Sequence, residues 1–331
     1  MAQKVGKIQE VFIQKLKEAI PPTMGMAEEM SELLGISIDS AYRRIRGETD
    51  LSISEIYTIT KKYGISLDNI FSNLSDTVTF TYTKLTDSTD NFEKYLTRIH
   101  THIKTLNNFE DRKIFYVAEE LPIFLSFFSK KLIEFKLFYW QRSVLNVAEF
   151  QGKKFEFGIM PERLITLASE CLTEYKKVPS VEIWTTETIK TVTKQIEFYS
   201  ESGVFKNKQD ALEIIEEIDK MAKYVEHCAE TGRKEDSSKE ENFQLYNSDI
   251  VLGTNCIYVK SGAVNFAYVS FNNLNSLTTN NHDFCDETKH WLRTLVKKST
   301  LLSGTAEKQR FQFFSGIHKN IDNCRERIKS L

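Results

Sequence analysis

Cysteine is scarce in this chain and scattered. Cys171, Cys228, Cys256, Cys285 and Cys324 are the five thiols in 331 residues, and they form no C-x-x-C pair. An odd, widely spaced set argues against a disulfide framework and predicts reduced thiols. Excess charge is missing too: the formal net charge is -2 at pH 7, so the chain is not a general polycation for nucleic acid. No apolar run reaches the ~20 residues that a bilayer-crossing helix needs. Met1–Lys7 lacks the apolar stretch of a signal peptide, so a soluble, cytoplasmic protein is expected. G-x-G-x-x-G, G-x-x-x-x-G-K-[ST], G-x-S-x-G and H-E-x-x-H are all absent. With none of these signatures for nucleotide binding, nucleophilic catalysis or zinc hydrolysis, the expectation is no enzyme and no cofactor.

The length suits a small domain followed by a larger one. Residues 1–75 carry nine Lys or Arg against ten Asp or Glu, so any nucleic-acid contact there must come from a local patch. A first helix is predicted from about Lys4 to Ala19, with Ile8, Phe12 and Leu16 on one stripe and Pro21-Pro22 as its stop. A second runs from about Met26 to Leu34, and Gly35 supplies the positive φ of a turn. Ser37 then caps a third helix that Gly47 closes. Ser52-Ile53-Ser54-Glu55 reads as a capping box for a fourth helix with Ile53, Ile56, Ile59 and Tyr63 inward, stopped by Gly64. Ser66 opens a short fifth turn carrying Leu67, Ile70 and Phe71.

The third helix carries the chemistry. At about 100° per residue, Ile38, Ala41 and Ile45 share one face, the face expected to pack. Asp39, Ser40 and Arg43 point away from it, Arg44 and Arg46 flank the outer face, and Tyr42 sits near the packed edge. Three arginines on one short helix suit the DNA major groove. Arg43 is the candidate base contact, because a guanidinium pairs bidentately with guanine O6 and N7. Arg44 and Arg46, the Tyr42 hydroxyl and the Ser37 cap region are candidates for phosphate.

Over residues 5–72 the five short helices and the run Ser40-Ala41-Tyr42-Arg43-Arg44-Ile45-Arg46-Gly47-Glu48 resemble the lambda-repressor-like helix-turn-helix regulators of bacteria. The resemblance implies a reader of double-stranded DNA. Two features depart from it. Ala27 stands where many members have a DNA-touching glutamine, and Glu28-Glu29 crowd the start of the second helix, where they would repel phosphate.

Beyond Asn73 the composition changes. Thr77–Thr83 alternates at the strand period and marks the start of the second domain, residues 76–331. A helix from about Asp90 to Asn107 places Phe92, Leu96, Ile99, Ile103 and Leu106 at coiled-coil spacing, either a dimer seam or an internal packing stripe. An apolar segment at 114–117 reads as a strand. An aromatic helix at 123–144 forms core, a pocket wall or an interface. Further helices are predicted near 161–175, 183–200, 208–230, 284–300 and 306–329, with strands at 250–252, 256–260 and 263–271 joined at Ser261-Gly262. The polar run 231–241 is a solvated loop.

The fold class is mainly α and α+β overall: a five-helix reader followed by a helix-rich regulatory domain. His282, Cys285, Asp286 and His290 lie within nine residues, but mixed soft and hard ligands favour a non-metal role. The expected function is a sequence-specific transcriptional regulator, a homodimer answering to a small-molecule or peptide effector. Alternatives are a peptide-binding scaffold of helical repeats and an enzyme domain recruited to DNA.

Overall fold

The computed structural model describes residues 2–20, 25–63, 65, 67, 77–85, 88–235, 240–262 and 264–331. The chain forms two compact units, Met1–Thr79 and Phe80–Leu331. The expected stops Pro21-Pro22 and Gly64, and Ser66, Ile70 and Phe71 of the fifth turn, lie outside the described residues, as does part of the 231–241 loop.

The first unit holds α1 (Ala2–Ala19), α2 (Met26–Leu34), α3 (Ile38–Ile45) and α4 (Ile53–Tyr63). Phe12, Leu16, Ala27, Met30, Ala41, Leu51 and Ile59 form its core, with Leu33, Ile45, Ile56 and Leu67 packed around them. Two expected core residues are outside. Ile38 is 48% exposed and Ile53 is 87% exposed. Each is the first residue of its helix, where a side chain leans over the preceding turn and finds no helical wall beneath it.

In the second unit α5 (Thr89–Leu106) precedes β1 (Arg112–Ala118). The apolar stripe of α5 is spent within the unit. Phe92, Leu96, Ile103 and Leu106 are buried in the main core and Ile99 packs against it, so the stripe is not an open dimer seam. The aromatic stretch becomes α6 (Lys130–Tyr139), and a π-helical turn continues it over Trp140–Val144. Then follow α7 (Ala148–Gln151), α8 (Glu162–Lys176), β2 (Ser180–Trp184), α9 (Lys190–Glu201), α10 (Lys208–Thr231) and β3 (Phe243–Asn247). Strands β4 (Cys256–Ser261), β5 (Val264–Phe271) and β6 (Asn275–Thr279) come next, then α11 (His282–Lys298), β7 (Thr300–Leu301) and α12 (Glu307–Ser330).

The seven strands make one mixed sheet in the order β6-β5-β4-β1-β2-β3-β7. β1 runs parallel to β2 and β2 to β3, while β4, β5, β6 and β7 are antiparallel to their neighbours. Residues 250–252, between β3 and β4, do not form a strand, and the 77–83 run pairs through a single bridge, Thr81 to Thr278. Alternation along β1 sends Ile114, Tyr116 and Ala118 to the helix-covered main core. Val117 faces the other way, with Ile183, Cys256, Tyr258 and Ala267, under Cys285, Leu292 and Leu295 of α11. The unit is α+β, and the sheet replaces the helical-repeat scaffold considered from sequence.

A glutamate sits in the middle of this sheet. Glu182 of β2 is buried and accepts hydrogen bonds from the Tyr175 hydroxyl and from Trp184 Nε1 at 2.8 Å. Burial raises its carboxyl above the ordinary range. Nearby, Lys234 donates to the carbonyls of Tyr175 at 3.2 Å and Val178 at 2.7 Å, and burial pushes its ammonium down to about 7.

Candidate nucleic-acid interface

The turn between α2 and α3 is built by two residues. Gly35 takes φ 64°, the left-handed region that favours glycine, and the Ile36 amide donates back to Ser31 O at 3.1 Å. Ser31 Oγ in turn donates to Ile36 O at 2.6 Å. Ser37 is then extended and its Oγ accepts from the Ser40 amide at 3.2 Å, the N-cap of α3. At the other end Gly47 takes φ 73°, and the Glu48 amide closes on Arg43 O at 2.8 Å. An eight-residue helix is about 12 Å long, close to the width of the DNA major groove of about 12 Å.

Position in the fold divides the expected DNA residues. Asp39, Tyr42, Arg43 and Arg46 are exposed. Arg43 is 56% exposed and its Nε lies 4.0 Å from Glu48 Oε2. Arg46 makes a two-pronged contact with Glu48, at 2.6 and 3.1 Å, and that guanidinium holds the Glu48 carboxyl below its ordinary value. Ser40 is half-buried and its hydroxyl is engaged with Ser37 Oγ at 3.0 Å, so both serines serve the cap.

Arg44 departs from its expected phosphate role. Its side chain is only 17% exposed, and Nη2 lies 2.9 Å from Glu55 Oε1 while Nη1 donates to Ser40 O at 3.2 Å. Glu55 also completes the capping box, accepting from the Ser52 amide at 2.7 Å. Burial alone would raise the Glu55 carboxyl, but the Ser52 amide and then Arg44 outweigh it and hold it low. Arg44 is a tie between α3 and α4.

The acidic start of α2 is resolved in the same way. Glu29 is buried, receiving the Lys62 ammonium and the Tyr63 hydroxyl at 2.6 Å, and these two donors, Lys62 foremost, lower its carboxyl. It faces α4 rather than a phosphate. Ala27 is part of the core and offers no DNA-facing position. Glu28 remains exposed.

Sequence reasoning missed Gln9. From α1 its Nε2 donates to Arg44 O and Thr49 O, both at 2.9 Å, and its Oε1 accepts from the Leu51 amide at 2.9 Å. One side chain thus fastens the end of α3 and the loop to α4. Nothing in local pattern marks it, because its partners lie 35 to 42 residues away.

Residues 10–120 match the family model of the BetR domain. The match marks the N-terminal region as a helix-turn-helix-type domain of transcriptional regulators, a DNA-binding regulatory domain. The BetR match covers about a third of the chain and runs through α5 and β1 into the second unit. No curated protein and no solved structure matches.

In the second unit, the His282-Cys285-Asp286-His290 group is brought together only in part: His282 Nε2 lies 3.6 Å from Asp286 Oδ2 on the exposed face of α11. Cys285 Sγ is buried against the carbonyls of Asn265 at 3.6 Å and Thr279 at 3.7 Å. His282 stands in solvent beside Asp283 at 3.2 Å. Among the described residues no cluster of three His, Cys, Asp or Glu is placed to hold a metal, and no helix is long and apolar enough to cross a membrane.

Proposed function

We propose that this chain is a sequence-specific, cytoplasmic transcriptional regulator that acts as a homodimer and has no catalytic turnover. Its C-terminal unit dimerises it and senses a signal. The observation that carries the proposal is the outward face of α3, held by the Gly35 turn and the Ser37 cap within a region that matches a regulator family. Arg43 reads guanine, Asp39 is placed to accept from a cytosine N4 amine, and Ile38 supplies an apolar contact for a thymine methyl. Arg46 and Tyr42 hold phosphate. Ser37, Ser40 and Arg44 position the helix rather than touch DNA. A near-neutral reader with one short helix gains little from charge alone, which favours two half-sites and a dimer.

The test is selection from randomised duplex DNA with the full chain at low salt, followed by sedimentation with the selected duplex. A two-fold-related site bound by two chains supports the proposal. Absence of any enriched sequence defeats it. A second reading, docking of the first unit on a protein, is favoured by the exposed pair Ile53 and Tyr57, one turn apart on α4. It would gain from a selection that returns no site.

A further inference from the structure

The second unit contains a cavity of about 240 Å³ walled by Glu120, Tyr139, Trp140, Lys194, Gln195 and Phe198, among others. It lies at the carboxyl ends of two parallel strands. Glu120 follows β1 by two residues, and Lys194, Gln195 and Phe198 belong to α9, the helix that follows β2. In open α/β sheets this is the end at which ligands collect. The volume is below the range of about 300–1,000 Å³ usual for drug-sized ligands, so it suits a smaller molecule.

Three features distinguish this cavity from a gap in packing. The first is Lys136 of α6, only 3% exposed, whose Nζ donates to Gln195 Oε1 at 2.9 Å. The same ammonium lies 4.9 Å from the centre of the Trp140 ring and 5.5 Å from that of Tyr139. An ammonium has three donors, and Gln195 takes one. Glu120 acts on it only through space, and burial pushes it down to about 8. So a buried cation stands directly behind three of the wall residues. The second is the wall's own backbone: Trp140 opens a π-helical turn, closed by the Leu145 amide on Trp140 O at 2.9 Å, and such turns are rare and frequent at functional sites. In that turn Gln141 is fully buried, and neither atom of its amide finds a partner among the described residues. The third is Phe198, a large apolar side chain left exposed at the rim, one turn from the exposed Lys194.

Charge selects the ligand. Lys136 already lies against both indole and phenol, so an aromatic cage for a second cation is not on offer. With Glu120 set through space against Lys136, Lys194 is the cation among the cavity's lining residues, and it forms no ion pair among the described residues. We propose that this cavity binds a small organic monocarboxylate with an aromatic or branched apolar body, the body on Trp140 and Phe198 and the carboxylate toward Lys194 and Gln195. This assigns the effector class to the signal-sensing unit proposed above, and it rests on that proposal only for the word effector, since binding is measured without DNA.

The full chain is titrated with benzoate, phenylacetate and indole-3-acetate, each beside its neutral amide and with phenethylammonium as the cationic counterpart. Binding is read by calorimetry and by tryptophan fluorescence, with Trp140→Phe to assign the fluorescence change. Expected is saturable binding of at least one carboxylate, at least tenfold tighter than its amide. Lys194→Gln, a change at an exposed side chain, weakens it at least tenfold, and Lys298→Gln, on α11, leaves it unchanged. Lys136→Met is a second variant, read only where its circular dichroism matches the parent. No saturable binding at millimolar concentrations, equal binding of acid and amide, preference for the ammonium probe, or indifference to Lys194→Gln each overturns the proposal. None of these outcomes bears on whether α3 reads DNA.

Discussion

Arg43 and Arg44 are neighbours in sequence with different environments, and their variants separate reading from folding. Arg43 is more than half exposed and makes one loose approach to Glu48, a contact of a kind worth about 0–1 kcal/mol. Removing it should leave the fold intact. If it pairs bidentately with a guanine, its loss costs about 1–3 kcal/mol of discrimination, which is roughly a 5- to 150-fold weaker complex at 1.4 kcal/mol per tenfold change. Arg43→Lys keeps the charge and loses the fork, so it should retain non-specific binding and lose preference at one base pair of each half-site. Arg44→Ala removes a charged hydrogen bond to Glu55 and one to Ser40 O, and bonds of that type contribute about 1.5–3 kcal/mol. It should weaken α3 and α4 locally, seen as faster amide exchange over residues 38–63, with DNA discrimination unchanged in the folded fraction. The assays are anisotropy against the selected duplex and its single-base variants, beside hydrogen exchange of the full chain. Wild-type discrimination by Arg43→Lys would refute the assignment. So would loss of DNA binding by Arg44→Ala with exchange unchanged.

Gln9→Ala should destabilise the first unit by about 1–3 kcal/mol, since it leaves the Leu51 amide and two carbonyls without their partner; urea denaturation followed by exchange over residues 38–51 checks this. Glu48→Gln frees Arg46 and Arg43 from an adjacent anion, so affinity for DNA of any sequence should rise severalfold. The slope of log affinity against log salt should steepen by about 0.9 for each phosphate gained, and an unchanged slope would mean that neither arginine meets phosphate. Glu29 titrates below its ordinary 4.5 in the folded state. The stability this provides is complete above pH 4.5 and is lost as pH falls through the lower, folded value. Glu29→Gln should therefore lower stability at neutral pH and flatten the acid limb of an unfolding-against-pH profile, whereas parallel profiles would remove Glu29 from the account.

The first unit was largely legible because its signals are local. Gly35, Ser37, Ser52, Glu55 and Gly47 each act within a few residues, and the bounds of α2, α3 and α4 follow from them. The same locality explains the errors there, since helical periodicity assigns a face to Ile38 and Ile53 without knowing that a helix's first residue has no wall to pack on. In the second unit the β4–β5 hairpin was legible, although its connection begins one residue later than expected: Ser261 still pairs with Val264 as the last residue of β4, and Gly262 takes φ 59°. Strands β2, β3 and β6 were not. β2 is five residues with Glu182 at its centre, and its partner β1 is 66 positions away at Ile114↔Ser180, so its burial depends on chain it does not adjoin. The cavity was legible only as one of three readings of the aromatic helix, a pocket wall, whose Tyr139 and Trp140 do line it; its charged residues, Glu120 and Lys194 in the wall and Lys136 behind it, share no spacing.

The BetR match ends at residue 120, just past β1, and that end has a structural consequence. β1 is the strand between β2 and β4, and the buried face of α5 is completed by side chains well beyond residue 120, such as Leu164, Ala168 and Cys171 of α8. The matched segment therefore contains the helical first unit without the start of α1 and its Gln9 tie, and two elements that complete their packing only with the rest of the chain. A pattern at coiled-coil spacing on α5 and a family match that includes α5 would together suggest a dimerisation helix. Burial decides otherwise: a stripe whose members Phe92 and Leu96 are fully enclosed and whose Ile99 is partly covered has little apolar area left to exchange for a partner. A dimer of this chain must be built from surfaces other than that stripe, and a fragment ending at residue 120 would expose the stripe and report an association that the full chain does not make.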